Sequence, residues 1–318
     1  MQCPTCEKNA GKFGKDRNGL QRFRCAACAK SFTEPRAMAG KHTSIEEASK
    51  ILLMLLEGMS VRSCERLTGY HRDTILGLMV QAGEACRLFT EEMIQNVPAE
   101  SIECDEQWAF IGMKRKTAER LERNPEVCGD RYVFTALDRD SKLLLCWHAG
   151  QRNEESTRDF SLKLRAAVSG RPVINTDGFS SYTYHIPAAF RWDVDYAQMV
   201  KHFQTSGTSK AAAVRYSPGS ITSVERKVVC GDVPEREIGT SRMERFNLTT
   251  RMQVRRFTRL TNAHSKTTRN HDAMLGLYFA WYNFCRKHST IKTTPAVKAG
   301  LTDSAWSMEK LLTVAAAA

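Results

Sequence analysis

Two Cys-X-X-Cys pairs stand at the start of the chain, Cys3-Pro4-Thr5-Cys6 and Cys25-Ala26-Ala27-Cys28. They constrain the local fold more tightly than anything that follows. Their separation lies in the range of a four-cysteine zinc site. Each pair makes a tight knuckle that aims two sulfurs at one point, and two knuckles complete a tetrahedron. A segment of about 35 residues buries too little core to fold unaided, so a bound metal supplies the folding energy. The expectation is a zinc ribbon over residues 1–36, with one structural Zn2+ on Cys3, Cys6, Cys25 and Cys28. Four thiolates leave no open position on the ion, which excludes a catalytic role for it. A redox Cys-X-X-Cys is the alternative, and two pairs at this spacing argue against it. The other seven cysteines are dispersed and read as buried thiols rather than disulfides. Lys8, Lys12, Lys15, Arg17, Arg22 and Arg24, between the knuckles, suit phosphate contact and a solvated face equally.

The 318 residues carry a net charge of +12, with a pI near 9.2. That balance favours a polyanionic partner, nucleic acid first. The length calls for two or three structural units. No run reaches the roughly 20 apolar residues of a membrane span. The start, Met1-Gln2-Cys3-Pro4, lacks a basic region followed by an apolar stretch. A cytoplasmic protein without a membrane partner is expected.

The second unit, residues 42–97, reads as a helix-turn-helix domain. Ser44 is a candidate N-cap, with Glu46 and Glu47 in the first turn. Ile45, Ala48, Leu52 and Leu55 repeat at helical spacing up to Gly58. A second short helix starts after Ser60, over Val61 to Leu67, and Gly69 allows a tight turn. Ile75, Leu78, Met79 and Ala82 then mark a third helix. Two short helices around a glycine turn suit a DNA-reading pair. The start of the third helix would present Tyr70, His71, Arg72 and Thr74 to base edges or phosphates.

After Pro98 the pattern becomes α/β, and residues 100–300 read as a catalytic domain. Ser101 to Ile111 alternates. Arg131 to Leu137 and Lys142 to His148 are strand-like runs joined by Asp138-Arg139-Asp140-Ser141. Glu154 to Val168 reads as a helix, Val173 to Thr176 as a short buried strand, and Val194 to Val200 as another strand. This order fits a ribonuclease-H-like sheet and also other α/β folds. Residues 206–237 look like an insertion in which Lys210, Arg215, Arg226 and Lys227 form either a DNA-contacting flap or a surface hairpin. Residues 301–318 read as a C-terminal tail.

Three acids stand out. Asp105 lies within the first strand of this unit, Asp177 at the end of the fourth, where α/β sheets place ligand groups, and Glu244 on a late helix. Glu244 is the only acid from Arg242 to Arg269, a stretch that holds Arg245, Arg251, Arg255, Arg256, Arg259 and Lys266. At about 100° per residue, Arg251 and Arg255 share its helix face and Asn247 lies close to it. Phe246, Thr250, Val254 and Phe257 form a separate, inward stripe. In-line phosphoryl chemistry on DNA uses two divalent ions, and magnesium takes carboxylate oxygens while keeping several waters. The expected ions are two Mg2+ (or Mn2+) on Asp105, Asp177 and Glu244. His264 and His271 read as structural rather than proton-shuttling.

Cys104-Asp105-Glu106-Gln107-Trp108, Thr176-Asp177-Gly178-Phe179 and Met243-Glu244-Arg245-Phe246-Asn247 resemble the three acidic boxes of DDE transposases of the insertion-sequence-one type. Arg255-Arg256-Phe257-Thr258-Arg259-Leu260-Thr261 with Ser265-Lys266 is similar to the same group. Tyr282-Asn283-Phe284 with Arg286, His288 and Thr294-Pro295-Ala296 resembles the close of many transposase and integrase domains. Arg251 resembles the basic residue that many such enzymes place two helical turns after the glutamate. Thr240 stands where they often have an arginine. The resemblance implies a multidomain protein with a zinc ribbon, a helix-turn-helix and a ribonuclease-H-like catalytic domain. It implies catalytic Asp105, Asp177 and Glu244, and DNA contacts from His71, Arg72, Thr74, Asn247, Arg251, Arg255, Arg256, Arg259 and Lys266. It also implies double-stranded DNA as partner, at element ends and target, assembly as a homodimer or higher oligomer on DNA, and a nucleoid-associated location. Two alternatives remain at this stage, a non-catalytic DNA-binding regulator and a ribonuclease-H-like nuclease without strand transfer.

Overall fold

The structure is a computed structural model, and it describes residues 1–16, 21–33, 43–124, 127–204, 221–258 and 262–318. The N-terminal segment is a three-stranded antiparallel sheet, β1 (Ala10–Lys15), β2 (Gln21–Cys25) and β3 (Ser31–Thr33), in that order. Its apolar core is small: Cys3, Ala10, Phe23 and Cys25 are buried, and Phe32 stacks on Phe23.

Three helices follow, α1 (Ile45–Leu56), α2 (Val61–Thr68) and α3 (Arg72–Met93). Ser44 and Glu47 make a reciprocal capping box on α1, and Ser60 caps α2 by accepting from Ser63 N–H. Gly69 ends α2 at φ +75°, a left-handed turn that suits glycine. α3 is longer than the apolar repeat to Ala82 foretells.

Beyond the short strand β4 (Val97–Pro98) come β5 (Ser101–Ile111), α4 (Arg115–Arg120), β6 (Gly129–Asp138), β7 (Leu144–Gly150) and α5 (Glu154–Ala167). Then follow β8 (Val168–Ser169), β9 (Val173–Thr176), α6 (Tyr182–Ala189), β10 (Asp195–Phe203) and β11 (Ile221–Cys230). Among the described residues the main sheet has the order β11-β10-β9-β5-β6-β7. β5 pairs parallel with β9, and β9 parallel with β10; β5–β6, β6–β7 and β10–β11 are antiparallel. Val168 leaves the helix expected to hold it and pairs with Val97 instead. In the expected insertion, β11 extends the sheet by a strand exposed along most of its length. Arg226 and Lys227 lie on it; Lys210 and Arg215, like Arg17, lie outside the described residues.

The chain closes with α7 (Ser241–Gln253), α8 (Thr268–Phe284), α9 (Pro295–Lys298) and α10 (Met308–Ala315). α8 is buried along nearly its whole length. Asn283 pins it to β7, accepting from Leu144 N–H and donating to Leu144 C=O, each at 2.9 Å. α3 and α8 cross through two glycines: a Cβ on Gly83 would stand 1.9 Å from the Ala273 carbonyl oxygen, and one on Gly276 would stand 2.5 Å from that of Gly83. Through this crossing, apolar residues of α1, α3 and the main sheet join one continuous core. Met308, Leu311 and Leu312 of α10, in the segment expected as a tail, are buried in it too.

Candidate active site

The site forms where two parallel strands stop pairing. β5 and β9 are in register only over Ser101–Glu103 and Val173–Asn175. Beyond that point β5 continues through Asp105 and Glu106 while β9 ends at Thr176, so Asp177 emerges beside the free flank of β5. Ligand oxygens of Asp105, Glu106 and Asp177 lie within 4.8 Å of one another.

Each carboxylate is held. Asp105 Oδ1 accepts from Glu106 N–H at 2.8 Å, and its Oδ2 from the Asn247 amide at 2.6 Å. Asp177 Oδ1 accepts from Phe179 N–H at 3.0 Å, and Gln198 locks the turn by donating to the carbonyls of Asp177 and Phe179. Both Glu106 oxygens are occupied: Oε1 accepts from Arg152 Nε at 2.6 Å, and Oε2 from the Tyr182 hydroxyl at 3.1 Å. Arg152 also stands 3.8 Å from Asp177 and 4.0 Å from the centre of the Phe179 ring, a cation over an aromatic face.

Crowding like charges in a partly dry site disfavours ionisation. Burial, then Asp177 and Glu106, raise the Asp105 carboxyl to about 7. Burial and Asp177 likewise raise Glu106 to about 7, although Arg152 opposes this. A divalent cation would relieve this repulsion. The donors are hard carboxylate oxygens without thiolate or imidazole, a set that suits Mg2+ or Mn2+.

Glu244 lies on the first turn of α7, exposed, and is not in that three-acid cluster. Its Oε1 accepts from the Thr240 hydroxyl at 3.2 Å and pairs with Lys201 on β10. Its charge nonetheless contributes to raising Asp105. α7 is seated by Glu103, which is fully buried: its carboxylate accepts from Met243 N–H at 2.8 Å and pairs with Arg139 at 3.1 Å. Phe246 and Thr250 face inward, and Phe246 meets Tyr282 edge-on with ring centres 5.0 Å apart.

Several expected DNA contacts stand elsewhere. Asn247 is only 3% exposed, spent on Asp105 and Gln107, so it orients a carboxylate rather than meeting DNA. α7 ends at Gln253 because Val254 turns extended and buried, so Arg255 lies in a separate 3-10 turn and not on the helix face of Glu244. Arg256 turns inward, donating to Ser265 at 3.2 Å, and burial lowers its guanidinium to about 10. Arg255 and Lys266 are exposed, Arg251 is half-buried, and Arg259 lies outside the described residues. His71 caps α3 by accepting from Asp73 N–H at 3.3 Å. His71 and Arg72 are exposed and Thr74 half-buried. His271 is buried and hydrogen-bonds Ser265 at 2.8 Å.

Glu106 and Arg152 were not among the expected site residues. Glu106 was legible only as the neighbour of Asp105; strand alternation sends the two side chains apart, yet their oxygens lie within 4.8 Å of each other and of Asp177. Arg152 carries no signal in the sequence.

The sulfurs of Cys3, Cys6, Cys25 and Cys28 form a second cluster within 4.8 Å, with Cys3–Cys28 at 3.6 Å and Cys6–Cys25 at 3.5 Å. Backbone N–H groups aim at these sulfurs, and that of Thr5 leads in lowering the Cys3 thiol to about 6. Four converging soft donors suit zinc.

No family model and no curated protein sequence matches the chain. Among solved structures it is similar to a piggyBac transposase in a synaptic complex with hairpin DNA, at 13% identity over 87% of this chain and 72% of that one, with a TM-score of 0.41. That likeness is too distant to bear on the site. No helix among the described residues is long and apolar enough to cross a membrane.

Proposed function

We propose that the chain is a DDE-type DNA transposase of the insertion-sequence-one kind, which binds the ends of its element and cuts and joins DNA. The observation that carries this reading is the meeting of Asp105 and Asp177 at the open end of β5 and β9, beside a helix whose first turn bears Glu244. The sheet order adds support: three antiparallel strands followed by two parallel ones is the arrangement expected of a ribonuclease-H-like domain.

Asp105, Asp177 and Glu244 would hold the Mg2+ or Mn2+ ions. Bound there, the ions would supply activation of the attacking oxygen and stabilisation of the leaving oxygen, first with water and then with the freed 3′-hydroxyl as attacker. The chain's own groups do the positioning. Asn247 fixes the Asp105 carboxylate, and the Phe179 amide fixes Asp177. Glu106 is already ion-paired with Arg152 and accepts from the Tyr182 hydroxyl, so in this reading it holds the Arg152 cation over the site rather than a metal ion. No side chain serves as covalent nucleophile. The zinc ribbon and the exposed start of α3 would contact the element ends, with the functional oligomer a dimer or higher on DNA.

The test is Asp177→Asn assayed on a duplex carrying an element end. Cleavage should fall about a thousand-fold or more, the several kcal/mol of charge stabilisation at stake, while end binding persists. Cleavage at the wild-type rate would sink the assignment. Cleavage without joining of the 3′ end to target would leave a nuclease.

A further inference from the structure

On the flank of α7 away from Glu244 lies a cavity of about 370 Å³ with no acidic residue in its wall. Its cations come from three places in the fold, Lys142 from the β6–β7 turn, Arg242 and Arg245 from α7, and Arg286 from the end of α8, with the His288 imidazole beside them from the loop beyond. Arg242 and Arg245 are three residues apart and so share a helix face. The turn sets Lys142 in left-handed backbone at φ +63°, a conformation that a side chain other than glycine rarely adopts. Hydroxyls of Ser241, Thr249, Ser289 and Thr290 complete the wall.

The charges are only partly offset from within: Lys142 donates to the Arg139 carbonyl and feels Asp140, Glu103 and Asp138 at longer range. Arg242 reaches Glu103 at 3.7 Å, but among the described residues no carboxylate pairs with Lys142, Arg245 or Arg286. Arg286 rests instead near the Tyr282 ring, 5.9 Å from its centre. Burial and then Arg242 pull the Lys142 ammonium below its usual range, and burial with Arg286 and Lys142 does the same to His288. Such a set gathers the positive charge of Lys142, Arg242, Arg245 and Arg286, with hydroxyl groups beside it, around one space whose wall holds no carboxylate. Phosphate groups answer to that chemistry.

We infer that this cavity is a second nucleic-acid site, gripping the phosphodiester backbone of duplex DNA on the flank of α7 opposite Glu244. It rests on the proposed DNA partner but not on the catalytic assignment. Because α7 carries Glu244 on one side and these arginines on the other, DNA held here would be coupled to the site by one rigid helix.

The experiment measures binding of the full chain to an element-end duplex in magnesium-free buffer, by fluorescence anisotropy across a salt series. Each phosphate contact contributes about 0.9 to the slope of log K against log salt. The triple variant Lys142→Gln/Arg245→Gln/Arg286→Gln should weaken binding about 10- to 100-fold and flatten the slope by about 2 to 3. In magnesium-free buffer no catalytic step enters the readout, so a failure of the catalytic reading leaves this result standing. Wild-type affinity and slope in a triple variant whose circular dichroism is unchanged would overturn the inference. Should that variant not fold, acetylation of Lys142 in the wild-type chain decides: duplex DNA should protect it, and equal labelling with and without DNA overturns the site. A rise in melting temperature with inorganic phosphate, together with unchanged DNA binding by the variant, would make this a free-phosphate pocket and likewise overturn the DNA assignment.

Discussion

The two candidate metal sites stand in opposite relations to the fold around them. At the cysteine cluster the ligands converge, but little else does: the buried apolar set is Cys3, Ala10, Phe23 and Cys25, and β1 is exposed along all but its first residue. At the acidic cluster a large core lies beneath the carboxylates, with Tyr182, Phe134 and Phe160 fully buried and in mutual aromatic contact. In the first case a bound ion would have to hold the fold. In the second the fold holds three like charges together, and its packing offsets their repulsion. One ion would build its surroundings; the others would relieve theirs.

The largest expected effect follows from the first half of that contrast. Structural zinc contributes on the order of 10 kcal/mol to folding of domains this small. A strong zinc chelator should therefore remove hydrogen-exchange protection from β1, β2 and β3 and leave β5, β6 and α8 as protected as before. Retained protection in the ribbon after zinc loss, checked by metal analysis of the same sample, would falsify a structural role for the ion.

A smaller effect separates the two glutamates. Glu106 is close to the aspartates but ion-paired with Arg152, whereas Glu244 is farther out and held by Lys201 and Thr240. With Glu244 as the third ligand, Glu244→Gln should weaken Mn2+ binding by about 10- to 100-fold, and Glu106→Gln, as the loss of an outer-shell group, should cost less than Glu244→Gln does. Calorimetric titration with Mn2+ checks both. The reverse ranking would give the ligand role to Glu106 and reduce Glu244 to a surface partner of Lys201.

How much of this was legible in the sequence depends on the range of the physics involved. Ser44 and Ser60 as caps, Val173–Thr176 between Pro172 and Asp177-Gly178, and the four cysteines are all fixed by groups a few residues apart, and each could be read directly. The end of α7 could not: the apolar spacing runs on through Val254 and Phe257, but Val254 is buried in extended backbone, which only tertiary packing dictates. Asn247 reads as a polar helix residue until Asp105, on another element, claims its amide. Glu106 and Arg152 meet across 46 positions because β7 and β5 flank β6, a relation of sheet order and not of spacing. The glycine pair at the α3–α8 crossing is similar, since Gly83 inside a helix looks merely unfavourable until Gly276 is placed against it.

The smallest effect concerns pH and comes from the second half of the contrast. Asp105 and Glu106 are raised to about 7 from ordinary values of 3.8 and 4.5. The folded state therefore binds their protons more tightly than the unfolded chain does. Their contribution to stability is greatest below about pH 4 and is lost as pH rises through about 7. For Asp105 alone the full shift corresponds to about 4 kcal/mol, and screening at a cluster open to water reduces this to about 2. Asp105→Asn carries no such charge at any pH. In magnesium-free buffer its melting temperature should rise relative to wild type by about 2–8 °C between pH 4 and pH 7.5. Adding Mn2+ at pH 7.5 should shrink or reverse that difference, because only the wild type gains a bound cation. A difference that stays flat with pH would mean that neither burial nor repulsion by Asp177 and Glu106 raises the Asp105 carboxyl. The fold would then be holding nothing in tension at this site, and the contrast with the cysteine cluster would reduce to the size of the two cores.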